Sequence, residues 1–287
     1  MEFNNSNQLK SFLKSESKRL GISINNTYNT FFSTILLRRI SEMSYNKLFV
    51  KGSFSELAHL NDMIRPITDI DLVSTEYHND PLLILFRAMY DTNSNIFYEL
   101  SDFPKKTRTG IYKINIIANF DKIKHPISID FQELSNVIYE KDYKRIDPLF
   151  KGDDYFYIWS PSFEEHLAEK LCIVVESNKE NVLNTRVKDF YDIYKLCGGK
   201  YDKERLSYFF YHMLKDRKKI DVENVSTKHL TDEYIKNHQE MWEAMSRKYE
   251  FMDKTINFRE SVEFTKELIS KEIENLDKSK KIKIRLH

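Results

Sequence analysis

The sequence has few of the residues that interrupt or staple a chain. Of 287 residues, six are glycine, six are proline and two are cysteine. So little glycine and proline argues against long flexible linkers and low-complexity segments. The cysteines, Cys172 and Cys197, form no CxxC pair and have no histidine cluster beside them. They read as buried thiols in a reducing compartment. Long apolar runs are missing too. No stretch approaches the roughly 20 apolar residues of a membrane span, and the opening MEFNNSNQLK has no apolar core of a signal peptide. The sequence-based expectation is therefore a cytoplasmic protein with no membrane partner.

A charge excess is also lacking. Forty-five Lys and Arg against 44 Asp and Glu leave a net charge of +1, which neither supports nor excludes a nucleic-acid partner. Clustering matters more. Three basic clusters stand out: Lys105, Lys106 and Arg108; Arg217, Lys218 and Lys219; and the stretch from Lys278 to His287 with Lys280, Lys281, Lys283 and Arg285. Each reads either as a solvated loop or end, or as a contact for a phosphate backbone. What the chain does have is 41% hydrophobic residues, 17 Tyr, 20 Phe and 31% charged residues. That suits a helix-rich globular fold with one large core or two smaller ones.

Hydrophobic periodicity orders the elements. Asn5 to about Ser44 has a helical pattern with a break at Gly21-Ile22-Ser23, and Phe31, Ile35, Leu36 and Ile40 recur at helical spacing. Lys47 to Gly52 suits a strand, and Ser53 to Leu60 a short helix with Ser53 near its start. Thr68 to Val73, Tyr112 to Phe120 and Pro126 to Phe131 alternate as strands do, and Pro81 to about Asp91 reads as a helix. After about Asp154 the pattern predicts helices only: one starting at Ser160-Pro161 with an apolar stripe of Phe163, Leu167, Leu171 and Val174, one from Thr185 to Cys197 stopped by Gly198-Gly199, and three more near 201–216, 229–249 and 257–277. The fold class is α/β (α+β). A small mixed sheet with helices fills residues 1–155, and a helical bundle domain fills 156–287.

The chemistry lies in Gly52-Ser53 followed by Asp69-Ile70-Asp71. Side chains two apart on a strand share a face, so Asp69 and Asp71 project together while Ile70 faces the core. Two converging carboxylates repel, and a divalent cation relieves that cost. Hard oxygen ligands suit Mg²⁺, with Mn²⁺ as an alternative. A glycine at a strand-to-helix turn lets phosphate approach the backbone, and the helix start offers free N–H groups. The expectation is a nucleoside triphosphate resting on Gly52 and Ser53, with the metal on Asp69 and Asp71 bridging its phosphates, a geometry for in-line displacement at phosphorus. A bare D-x-D also occurs by chance; the hydrophobic strand and the upstream strand-GS-helix set this one apart.

The runs Phe49-Val-Lys-Gly-Ser53 and Arg65-Pro-Ile-Thr-Asp-Ile-Asp-Leu72 resemble polymerase-β-type nucleotidyltransferases. More narrowly they resemble the AbiEii/AbiGii branch, toxin partners in phage-defence (abortive infection) and toxin–antitoxin operons, with the MenT toxins as relatives. Phe163-Glu-Glu-His-Leu-Ala-Glu-Lys-Leu171 and Arg186-Val-Lys-Asp-Phe-Tyr-Asp-Ile-Tyr194 resemble that branch's later motifs. The likeness spans roughly residues 30–197. It implies that Asp69 and Asp71 bind metal and that Gly52 and Ser53 cradle phosphate. It implies that the helical domain contributes Lys170 and Asp189 to the cleft, Lys170 neutralising the departing pyrophosphate and Asp189 orienting Lys170 or activating the acceptor. Lys170 and Asp189 also read as a solvated helix lysine and an N-terminal helix charge. Asp192 reads as structural, tying its helix to a cation. Asp130 is a candidate third carboxylate or a plain strand-end acid. Arg65 binds phosphate or pairs with a carboxylate. His59, His125 and His166 show no ligand spacing.

The resemblance implies a toxin that adds nucleotides to RNA, at the tRNA 3′ end, with a cognate antitoxin as partner. Two other readings stand beside it: nucleotide transfer to a small molecule or protein, and a catalytically silent binding module.

Overall fold

A computed structural model describes residues 2–44, 47–74, 80–90, 94–108, 110–133, 140–176, 186–216, 222–249 and 252–276. Two compact units divide the chain. The first comprises residues 1–135 and 141–161, the second 136–140 and 162–287. The clusters at Arg217, Lys218 and Lys219 and at Lys278 to His287, and the expected helix start at Thr185, lie outside the described residues.

The first unit opens with helices α1 (Ser6–Leu20) and α2 (Ile24–Ser44). Asn5 caps α1 by accepting from the Asn7 and Gln8 N–H groups, and Gly21 ends it in the left-handed conformation. The break expected at Gly21-Ile22-Ser23 is thus a capped helix end. Strand β1 (Leu48–Lys51), helix α3 (Gly52–Leu60), β2 (Asp69–Ser74) and α4 (Asp80–Met89) follow. Then come β3 (Phe97–Leu100), β4 (Lys105–Lys106), β5 (Ile111–Phe120) and β6 (Ile123–Glu133). The sheet order is β1-β2-β6-β5-β3, with β4 also on β5. β2 and β6 run parallel and the other pairs antiparallel, so the sheet is mixed.

A second, two-stranded sheet pairs β7 (Lys141–Ile146) with β8 (Phe156–Pro161). This corrects the reading that strands stop near Asp154 and that a helix starts at Ser160-Pro161. Phe156, Ile158 and Ser160 are buried, whereas Tyr157 is exposed and Trp159 half-buried, the period of two that a strand imposes. Pro161 closes the strand, where its missing N–H does least harm.

The core of this unit gathers Leu9, Phe31, Phe32, Leu36, Leu37, Leu48, Val50, Phe54, Ile70, Leu72, Ile114, Ile129, Phe131 and Ile158. α2 is buried around most of its circumference, Thr27, Thr30, Ser33, Thr34 and Arg39 included. Arg39 answers its own burial by donating to the Ala88 and Ile96 carbonyls and lying 5.3 Å from the Tyr98 ring. Ile70, the residue between the two acids, is fully buried.

The second unit is helical among the described residues: α5 (Phe163–Glu176), α6 (Val187–Leu196), α7 (Lys203–Asp216), α8 (Asp232–Lys248) and α9 (Phe258–Glu274). Leu167, Leu171, Phe190, Ile193, Phe209, Phe210, Trp242, Phe258 and Val262 are buried in it. Cys172 is buried here, and burial pushes the Cys197 thiol up to about 12, so it is no thiolate at neutral pH. No described helix is long and apolar enough to cross a membrane.

Candidate active site

β1 ends at Lys51 and α3 begins at Gly52, with nothing between. So sharp a turn needs a left-handed backbone, φ +61° at Gly52, which glycine adopts at little steric cost. Glycine is required here for a second reason. A Cβ at this position would lie 1.9 Å from Asp71 Oδ2. The Asp71 carboxylate therefore rests on the backbone of the turn, where any larger residue would displace it.

The start of α3 is prepared for an anion. Lys51 in the N-cap position makes no side-chain cap hydrogen bond. The first N–H groups of α3 thus receive no cap from the Lys51 side chain and lie at the positive end of the helix dipole. Beside them Ser53 is 6% exposed, and its hydroxyl has no hydrogen-bond partner. A buried hydroxyl left unsatisfied costs about 1–3 kcal/mol. Ser53→Ala is therefore expected to leave stability unchanged or raise it by about 1 kcal/mol, while KM for the triphosphate rises. Thermal unfolding and steady-state kinetics check this together; a clear loss of stability would assign Ser53 to packing instead.

Sheet register places the acids. Lys51 pairs with Asp71 on β2, Asp71 with Asp130 on β6, and Asp130 with Lys113 on β5. Adjacent strands lie about 4.8 Å apart, and register partners share a face. The result is a row across four strands that reads cation, acid, acid, cation. Lys113 Nζ donates to both carboxylate oxygens of Asp130 at 2.8 Å. That hydrogen bond, more than any other cause, raises the Lys113 pKa; desolvation opposes it, and the charges of Asp130, Asp69 and Asp71 add to it. In the neighbouring row Asp69 stands opposite Ser128, which stands opposite Asn115. Thr68 Oγ1 donates to Asp69 Oδ1 at 3.0 Å.

Sequence reasoning missed the place of Lys113 beside Asp130. Its only local signal is its place early in an alternating strand. Its position against Asp130 comes from strand register, which no local pattern encodes.

Arg65 and Glu56 are both buried, with Arg65 Nε 3.4 Å from Glu56 Oε2. Of the two roles open to Arg65, this geometry is that of the carboxylate pair. His59 Nε2 lies 2.9 Å from the Pro161 carbonyl, and the His125 ring packs on Phe32. Burial lowers the His125 pKa.

In the second unit Lys170 is 6% exposed. Its Nζ donates to Asp192 Oδ2 at 2.8 Å and lies 3.6 Å from Asp189 Oδ1. Arg186 Nε stands 3.2 Å from the other Asp189 oxygen. Lys170 is thus no solvated helix lysine. It bridges α5 to α6 through two carboxylates, and Asp192 ties its helix to this cation.

Asp69 and Asp71 offer hard oxygen donors on one strand face, as a divalent cation prefers. Among the described residues no three His, Cys, Asp or Glu side chains converge as a metal site. Asp130 accepts from Lys113 through both oxygens and keeps a lone pair on each. A cation on Asp69 and Asp71 would complete its shell with phosphate oxygens and water, which is the habit of Mg²⁺ at nucleotide sites.

A family profile described as "Nucleotidyl transferase AbiEii toxin, Type IV TA system" matches residues 35–264. No curated protein matches the chain. The crystal structure of JHP933 from Helicobacter pylori is similar at TM-score 0.54 and 13% identity, over 90% of this chain and 96% of that one. A second H. pylori crystal structure, of a protein described provisionally as a nucleotidyltransferase, is similar at TM-score 0.50 and 13% identity, over 90% and 98%. At such identities the likeness is one of fold.

Proposed function

The chain belongs to the AbiEii family of nucleotidyl transferase toxins, and from that premise we propose that it moves a nucleoside monophosphate from a nucleoside triphosphate onto RNA, at the 3′ end of tRNA, halting aminoacylation and so translation. Family membership brings with it a toxin–antitoxin system, a nucleotidyltransferase activity and a triphosphate substrate. The metal ion, the acceptor and the cellular consequence are our reading.

One observation supports the nucleotide half above the others. The Gly52 turn carries the Asp71 carboxylate on its backbone, beside a buried Ser53 hydroxyl that lacks a partner. A triphosphate supplies acceptors for the Ser53 hydroxyl and the turn, and the cation it carries meets the Asp71 carboxylate. Ser53 Oγ and the first N–H groups of α3 donate to phosphate oxygens. Asp69 and Asp71 would hold Mg²⁺, or Mn²⁺ in its place. When bound, the cation supplies charge neutralisation on the phosphates. Lys51 and Lys113 offset the acid row from either end. Arg65 is left to Glu56.

The acceptor hydroxyl attacks the α-phosphorus, a P–O bond forms, and pyrophosphate departs with the electron pair of the bond that breaks. Asp130, in register with Asp71, is our candidate to take the hydroxyl proton. Lys170 keeps the role the resemblance implies, meeting charge on the pyrophosphate. Asp189 orients Lys170, a role its 3.6 Å approach supports.

Incubation with total tRNA, Mg²⁺ and each labelled triphosphate in turn tests the proposal. One triphosphate should label the RNA at its 3′ end. Label appearing only on a small molecule or on protein would overturn the RNA acceptor while leaving the transferase chemistry.

A further inference from the structure

The β7–β8 hairpin turns a row of aromatic rings outward. On this face Tyr143 stands opposite Trp159, and Arg145 opposite Tyr157. The Tyr143 and Tyr157 rings stack at 4.9 Å with 16° between their planes, and Trp159 lies 4.9 Å from Tyr143. Tyr155 extends the row at 5.9 Å from Tyr157, and Arg145 lies 4.2 Å over the Tyr155 ring. These rings are not core. Tyr143 is 55%, Tyr155 52% and Tyr157 37% exposed.

So much exposed aromatic surface on a short hairpin needs a reason. Folding gives none, because the hairpin's opposite face, with Ile146, Phe156 and Ile158, already supplies its buried contacts. The charges on the outward face are cationic. Lys141 and Arg145 alternate with Tyr143 there, while Asp142 points to the other face with Lys144 as its partner at 3.1 Å. Arg145 is held by Asp147 at 2.6 Å, a pair that a phosphate can replace. The ladder also begins near the acid row. Lys141 Nζ lies 4.9 Å over the Phe49 ring, two residues before Lys51 on the same face of β1.

We propose that the outward face of β7–β8, with Tyr143, Tyr157, Trp159 and Arg145, is a stacking platform for the unpaired bases of the RNA acceptor. Every base has a π-face, so such a platform holds single strands with little regard to sequence, and Arg145 and Lys141 meet the backbone. A duplex keeps its bases stacked on one another and gains nothing from the rings. The inference rests on the RNA-acceptor reading above and adds where the acceptor's single-stranded end is held.

The test uses the full chain and a 5′-fluorescein, unstructured oligoribonucleotide of about a dozen nucleotides, followed by anisotropy. Tyr143→Ala/Tyr157→Ala should weaken binding by roughly tenfold or more, and Tyr143→Phe/Tyr157→Phe should retain it, since stacking needs the ring and not the hydroxyl. A blunt RNA duplex of equal length should not distinguish the variants. The chain has two tryptophans, and Trp242 is buried. Single-stranded RNA should therefore quench Trp159 emission, and Trp159→Phe should remove that response. Wild-type binding that survives the alanine changes would overturn the platform alone and point to a protein partner for this face. A wild-type enzyme that ignores RNA yet labels another acceptor would overturn the RNA reading and the platform with it.

Discussion

Asp71→Asn should lose nucleotide transfer by on the order of a thousandfold and keep its fold. The two halves of that result have separate causes. Asn presents one neutral oxygen where Asp presents two charged ones, so a divalent cation loses about half of its protein ligands. A contribution of about 4 kcal/mol to the transition state corresponds to about a thousandfold in rate. Stability should change little, because the attraction lost toward Lys51 and Lys113 is set against the repulsion relieved. Asp71 stands beside Asp130 in strand register and shares a strand face with Asp69, so a neutral residue there removes like-charge repulsion. Asp69→Asn should behave in the same way. The measurements are label transfer and growth arrest for activity, and thermal unfolding for the fold. A folded Asp69→Asn/Asp71→Asn variant that remained as toxic as wild type would leave the chain as a binding module and end the enzymatic account of that toxicity.

Lys170→Met should lower stability by about 3–5 kcal/mol, a fall in Tm on the order of 10 °C. Asp192 is fully buried and Lys170 donates to it at 2.8 Å; Asp189 is 3% exposed. Arg186 reaches Asp189, but from a half-exposed position. Removing the lysine takes from the Asp192 carboxylate the cation 2.8 Å away, in a medium that disfavours charge. The paired change Lys170→Met/Asp192→Asn removes the buried charge that lost its cation and should recover much of the loss, a coupling that a double-mutant cycle measures. This pair also separates architecture from chemistry. If Lys170 meets the pyrophosphate, the doubly changed protein regains stability and stays inactive. A single Lys170→Met variant as stable as wild type would contradict the burial of this network.

Much of the first unit is legible in the sequence, because its signals are local. Gly21 after an amphipathic run marks a helix end wherever the rest of the chain goes. The D-x-D alternation puts Ile70 inward and both acids outward by the geometry of a strand alone. The Lys-Gly-Ser junction forecasts a strand-to-helix turn, which the φ of Gly52 realises. The helices of the second unit followed from apolar periodicity in the same way.

The strands that escaped were those whose identity depends on a partner. Lys-Asp-Tyr-Lys-Arg-Ile carries too much charge to announce itself, and becomes β7 only by pairing with β8. β3 and β4 are short and lie away from the centre of the sheet. Loss of β7 and β8 from the reading also hid the aromatic ladder, since Tyr143 and Tyr157 are far apart in sequence and stack only in register.

By itself the sequence determined which residues are candidates for the chemistry and which way each faces along its own element, since steric rules of helix, strand and glycine act over a few residues. Only the tertiary structure decided what meets what. It set Lys113 on Asp130 beside Asp71, and it slid the Asp71 carboxylate into the space that Gly52 leaves. It also buried Lys170 between two acids and aligned the rings of β7 and β8. These are register and packing choices, fixed by contacts between distant segments, and no window of sequence contains them.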